Sequence, residues 1–171
     1  MLKRISVTGP ESTGKSWLAA GLASAFNEPW VPEFAREFLV NINRPYTFDD
    51  ILFIAKAQLE DENKHAALAK EWLFCDTDFL VTTIWCKVKF GKTHPWIDKM
   101  ADTHRYDHYL LCNTDLPWEA DPLREHPDFR DELFKMYQAE LESRHFPFSI
   151  ISGKGQDRLK NALQSLQLLS F

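Results

Sequence analysis

Five short apolar runs punctuate the chain, and between them apolar residues recur every three or four positions. Residues 2–8 read as a buried parallel strand, and residues 15–26 as a helix with Trp17, Leu18, Leu22 and Phe26 on its apolar side. Pro29 and Pro32 bracket a two-residue second strand, Trp30 and Val31, and a second helix begins at Glu33. Asp49 and Asp50 suit the positive N-terminal end of a helix running to about Lys70, whose charged middle keeps one face in water. Residues 72–76 are an apolar run ending in aspartate. Residues 78–90 read as a helix that closes at Gly91, and residues 106–112 as a fourth strand. A helix starting near Pro127 carries Phe129, Leu133, Met136, Tyr137 and Leu141 at helical spacing. A fifth strand spans 148–152, and Gly153-Lys154-Gly155 turns into a last helix with Leu159, Leu163 and Leu166 inward. Strands separated by helices predict an α/β fold, a five-stranded parallel sheet covered by helices on both faces. Right-handed crossovers then gather the C-terminal ends of the strands on one edge, where ligands bind.

Composition narrows the partners. The 171 residues suit one domain, 1–171, with a real core. A formal net charge of -5 and a pI near 5.7 leave no basic stripe for nucleic acid, so small molecules are the expected partners. Cys75, Cys86 and Cys112 are odd in number and lack C-x-x-C spacing, which points to buried free thiols in a reducing cytoplasm. The N-terminus runs straight into the first strand without a signal peptide's apolar segment, and nothing approaches a membrane span. A cytoplasmic protein is expected; oligomeric state is left open.

One motif carries the chemistry. Gly9-Pro10-Glu11-Ser12-Thr13-Gly14-Lys15-Ser16 matches G-x-x-x-x-G-K-[ST] between a strand and a helix, the context of a phosphate-binding P-loop. Its glycines let backbone N–H groups converge on phosphate oxygens at the positive end of the following helix. Gly9, Glu11, Ser12, Thr13, Gly14, Lys15 and Ser16 are therefore assigned to ATP. Lys15 reaches the β- and γ-phosphates, and the Ser16 hydroxyl suits Mg²⁺. A GTPase is unexpected: Asn113-Thr114-Asp115-Leu116 lacks the lysine of N-K-x-D, and no D-x-x-G follows Asp76. A hexameric ATPase motor would need a helical second domain for which no residues remain. A small-molecule kinase fits the length.

Glu33-Phe34-Ala35-Arg36-Glu37, Cys75-Asp76-Thr77-Asp78, Asp115-Leu116-Pro117-Trp118 and Asp121-Pro122-Leu123-Arg124, taken with the P-loop and in that order, resemble the NadR-type ribosylnicotinamide kinase domain. The resemblance spans nearly the whole chain. It implies a P-loop kinase-like fold with a helical lid, ATP and Mg²⁺ as cofactors, and phosphorylation of the ribose 5'-hydroxyl of nicotinamide riboside in NAD salvage. Fused relatives carry a nicotinamide mononucleotide adenylyltransferase domain with an H-x-G-H signature, which is absent here. Two departures stand out. The places of the family's aromatic clamp on the nicotinamide ring hold Pro32 and Glu60, and the usual D-G-x-R carries Pro122.

Phosphoryl transfer needs cations near the phosphates and carboxylates near metal and hydroxyl. Asp76 ends a Walker-B-like strand and is the candidate for organising Mg²⁺ together with Ser16, a strand-end cap being the alternative. Asp78 would hold a ribose hydroxyl or cap a helix. Glu33 is the general-base candidate, with Asp76 or Asp78 as competitors, because geometry decides before pKa. Arg36 would pair with Glu33, touch substrate, or form a surface ion pair. Arg124 and Arg130 resemble lid arginines, solvated charge being the alternative for Arg130. Gly153 and Gly155 lie where related folds hold adenine with backbone atoms, or form a simple turn. Trp30, Trp85, Trp118 and Phe34 could stack on a flat base, although aromatic residues mostly fill cores. His104 and His108, four apart without H-E-x-x-H, argue against zinc. From another functional class comes a regulatory module that binds ATP with little transfer, and a kinase for another nucleoside is the remaining reading.

Overall fold

The computed structural model describes residues 1–168. Its elements are β1 (Lys3–Thr8), α1 (Lys15–Phe26), β2 (Trp30–Val31), α2 (Phe34–Asn41), α3 (Phe48–Ala66), β3 (Trp72–Asp76), α4 (Phe79–Phe90), α5 (Pro95–Thr103), β4 (His108–Cys112), α6 (Arg130–Ser143), β5 (Phe148–Ile151) and α7 (Gln156–Gln167). All strand pairs are parallel, in the order β2-β3-β1-β4-β5. The α/β expectation holds.

Every residue of β3 and β4 is buried, as strands covered on both faces must be, and the period-2 alternation sorts their side chains between two cores. Leu73 and Cys75, with Tyr109 and Leu111, pack toward α3, α4, α5 and α6. Trp72 and Phe74, with Leu110 and Cys112, pack toward α1 and α7. The three cysteines are free and buried among these side chains. Among the described residues no helix is long and apolar enough to cross a membrane.

Several boundaries follow from capping chemistry. Thr47 and Asp50 form a reciprocal capping box that starts α3, and Gly91 ends α4 in the left-handed conformation at φ 67°. Other details depart from the sequence reading. Trp17 is 46 % exposed rather than on the buried side of α1, where Leu18, Ala19, Leu22 and Ala23 do the packing. Phe129 is likewise exposed, ahead of α6. α5 was not anticipated. Its nine residues bury only Ile97 and Ala101, too narrow a stripe to register as periodicity, although Pro95 at its start is a recognisable signal.

The sheet passes into the P-loop through a tight approach at Gly9. Its φ is 130°, and a Cβ there would stand 2.9 Å from the backbone carbonyl oxygen of Cys112 on the neighbouring strand. Gly9→Ala is thus expected to combine strain with a backbone clash and to cost about 1–3 kcal/mol. A lowered melting temperature with weakened ATP binding would show it; a wild-type melt would mean that the loop can shift away at no cost.

Candidate active site

A cleft of about 930 Å³ runs along the C-terminal edge of the sheet. Its walls come from the segments that follow all five strands, which the parallel topology brings to one edge. The P-loop lies at its centre. Gly9, Ser12 and Gly14 all have positive φ, and Gly14 caps α1 without any side-chain bond. The first N–H groups of α1 consequently have no side-chain acceptor at the cap and are disposed to meet an anion. Thr13 Oγ1 and Lys15 Nζ both donate to the carbonyl of Pro10, each at 2.8 Å.

Behind this loop sits Asp76, only 1 % exposed. The Ser16 hydroxyl donates to its Oδ2 at 2.5 Å, while its Oδ1 is buried without a hydrogen-bond partner among the described residues. Burial, reinforced by the negative charge of Glu33, pushes its pKa up to about 6 against the opposing pull of Lys15. Glu33 itself is half-buried and lines the cleft at the start of α2. It is placed there by buried Gln58 of α3, whose amide accepts from Phe34 N at 2.8 Å and donates to Pro32 O at 3.1 Å. That clamp brackets Glu33 on both sides.

Asp78 corrects one expectation. It lies outside the cleft lining, 3 % exposed, accepting from Val81 N at 3.0 Å as the N-cap of α4 and from Ser6 Oγ at 2.5 Å. Both oxygens are committed to the fold, so the cap alternative prevails. Arg36 does not pair with Glu33; it forms the exposed ion pair that was one of its readings, its guanidinium reaching Asp121 at 2.8 Å and tying α2 to the segment after β4.

That segment, residues 113–129, has no helix of its own, and it is docked on the P-loop. Ser12 Oγ accepts from Glu119 N at 2.9 Å and from the Arg124 guanidinium at 3.3 Å. Arg124 lines the cleft and also holds the carbonyl of Glu119. The Glu11 carboxylate accepts from the backbone N–H groups of Glu125 and His126, at 3.1 Å each, with the His126 ring 3.6 Å away. Glu11, expected to serve ATP, is thus a fastening for the lid segment. Arg130 is a second correction: it lies outside the lining, donates to the Ser12 carbonyl at 3.0 Å and stacks 5.7 Å from the Trp118 ring, steadying the P-loop from outside.

Past β5, Gly155 lines the cleft and Gly153 does not. Gly153 N donates to Asp115 Oδ2 at 2.6 Å, which fastens this turn to the loop after β4. Arg158, 1 % exposed, holds the carbonyls of Ile151, Gly153 and Asn113 and the Asp115 carboxylate at once. Sequence reasoning missed it, yet there was a signal. Arg158, Ala162 and Leu166 form the buried stripe of α7, and a lone cation on such a stripe calls for several acceptors.

Of the four aromatic candidates only Trp85 lines the cleft, joined by Trp17, Tyr46 and Tyr137, which the sequence reading had not singled out for binding. Pro32 and Glu60 are outside the lining too. His104 and His108 sit on separate elements, facing Glu62 at 2.8 Å and Ser149 at 2.8 Å.

Comparison with known proteins accords with this geometry. A family model described as an AAA domain matches residues 4–158, and the chain belongs to that family. It is homologous to the trifunctional NAD biosynthesis/regulator protein NadR of Escherichia coli (strain K12), 30 % identical over 168 residues. That match covers 91 % of this chain but only 40 % of the relative, so the chain spans well under half of the curated protein. A crystal structure of NadR in complex with NR superposes with a TM-score of 0.86 at 23 % identity, covering 98 % of this chain and 51 % of that one. Thymidylate kinase from Ehrlichia chaffeensis superposes at 0.70 with 14 % identity, 98 % of each chain being covered. The fold is that of the P-loop kinases.

Proposed function

We propose that this chain transfers the γ-phosphoryl group of ATP to the ribose 5'-hydroxyl of a nucleoside, with nicotinamide riboside as the first acceptor. The observation that carries the reading is one cleft shared by a phosphate-binding loop, a carboxylate at the end of β2 and an arginine of the lid segment. A protein that only binds ATP has no use for the second and third of these.

Mg²⁺ suits the donor set. Ser16 offers a hydroxyl, and the partnerless Oδ1 of Asp76 is a hard oxygen in need of a cation. When bound, the ion would neutralise charge on the β- and γ-phosphates. The chain's own residues do the rest. P-loop N–H groups and Lys15 hold the phosphates, and Glu33 takes the proton of the acceptor hydroxyl as its oxygen bonds to phosphorus. The bond from phosphorus to the β-phosphate oxygen breaks, Arg124 balances the charge, and ADP leaves. Glu33 is favoured over Asp76 as base because it lines the cleft, whereas Asp76 lies behind Ser16 with one oxygen engaged.

The test is a panel of nicotinamide riboside, nicotinic acid riboside and the common nucleosides, each assayed for acceptor-dependent ADP production with Mg·ATP. Turnover of nicotinamide riboside is the expected result. Turnover of another nucleoside alone would replace the acceptor and keep the chemistry, while silence across the panel would overturn the kinase reading in favour of a nucleotide-binding module.

A further inference from the structure

One part of the cleft lining is a built aromatic wall. Trp85 of α4 and Tyr46, in the loop between α2 and α3, both belong to it, with ring centroids 5.1 Å apart in an edge-on arrangement. Their polar atoms are fixed in series. Trp85 Nε1 donates to Tyr46 Oη at 3.0 Å, and Tyr46 Oη donates to Glu125 Oε2 at 2.9 Å. Lys89 Nζ completes the chain, 3.0 Å from Glu125 Oε1 and 5.3 Å from the centre of the Tyr46 ring. Leu39, Ile42, Val81 and Val88 supply apolar surroundings.

Two features give this part a purpose. Both of its cations are already matched, Lys89 by Glu125 and Arg44 by a two-pronged contact to Asp50, so no net charge is left to select a ligand. Recognition must come from flat apolar faces and shape, which suits a heteroaromatic base. The topology is also suitable: Glu33 and the loop carrying Tyr46 follow β2, at one edge of the sheet, whereas Gly155 and Arg158 follow β5, at the other.

We infer that Tyr46 and Trp85 form the wall that recognises the acceptor's base, and that Glu125 couples its occupancy to the lid segment. This rests on the nucleoside-kinase reading above. Glu125 makes the coupling because its carboxylate holds Tyr46 while its backbone N–H is held by Glu11 of the P-loop. A base settling against the wall therefore acts on a residue fastened to the phosphate site. Aromatic contact to a base is the dominant attraction in such a site, so removing one ring has a large effect.

The experiment reads binding rather than turnover, which keeps it separate from the fate of the kinase reading. Calorimetric titrations of the nucleoside panel and of a non-hydrolysable ATP analogue, each with and without the other ligand present, are run on wild type, Trp85→Leu, Tyr46→Ala and Tyr46→Phe. Trp85→Leu and Tyr46→Ala are each expected to weaken nucleoside binding about tenfold or more, equivalent to about 1.4 kcal/mol, with analogue affinity within about twofold. Tyr46→Phe keeps the ring and loses the bond to Glu125. It is expected to retain nucleoside affinity within about threefold while losing the mutual strengthening between nucleoside and analogue. Tyr46 sits in a loop, so Tyr46→Ala reports even if α4 does not tolerate Trp85→Leu. Unchanged nucleoside affinity in Tyr46→Ala, an equal loss of analogue binding, or a wild-type protein that binds no nucleoside would each overturn the inference.

Discussion

Asp76→Asn is expected to yield a protein that melts at a higher temperature than wild type at neutral pH and transfers phosphate about 10² to 10³-fold more slowly. Both effects come from one charge. Asp76 is buried against Ser16, and burial together with Glu33 raises its pKa from 3.8 to about 6. A carboxyl whose folded pKa is raised stabilises the fold fully only below the unfolded value, and that stability is lost as pH climbs through the folded value. Above about pH 6 the fold therefore carries an ionised, desolvated carboxylate at a cost of up to about 3 kcal/mol. Asparagine cannot ionise and is spared that cost. The same substitution removes the oxygen charge best placed for a cation beside Ser16. Thermal melts of chelator-treated protein from pH 4 to pH 8 check the first effect: the difference between variant and wild type should open between about pH 4 and pH 6 and then level off. ADP production with Mg·ATP checks the second. A variant that melts lower at pH 7.5 and turns over at the wild-type rate would make Asp76 a plain strand-end cap.

The second large effect is expected for Lys15→Ala. The lysine is half-buried at the cleft, and the contact that anchors its ammonium is the Pro10 carbonyl at 2.8 Å. Its loss removes one hydrogen bond and no core contact, so the melting temperature should move by no more than a few degrees. Transfer should fall about 10³-fold, because a cation aimed at developing phosphate charge acts mainly in the transition state. Lys15 also counteracts the rise in the Asp76 pKa, so the two positions are electrostatically linked. The double variant should accordingly lose less than the sum of the two single losses. Unimpaired turnover in Lys15→Ala would take the P-loop out of the mechanism.

Much of this protein was open to local reading. β3 and β4, buried along their whole length, announce themselves as apolar runs, and all five strands lie within two residues of their expected bounds. The P-loop is equally local, because eight consecutive residues specify its turn, its helix start and its phosphate chemistry. Gly91 and Asp78 mark the ends of α4 by chemistry that acts over three or four residues. The sequence also raised both roles for Asp78. It could not choose between them, since the deciding partner, Ser6, is 72 residues away on another strand.

The sequence by itself determined the alternation of strands and helices, the sheet edge on which a ligand binds and the loop that holds phosphate, because periodicity, capping and glycine conformation act between near neighbours. Only the tertiary structure decided which side chains share the cleft. Glu11 belongs to the lid segment's fastening, Arg130 to the outside of the P-loop, and Tyr46 and Trp85 to one wall through contacts that span 114, 118 and 39 residues of chain. Such contacts depend on how loops from separate strands meet over the sheet edge, a geometry set by the packing of two buried cores rather than by any stretch of residues read alone.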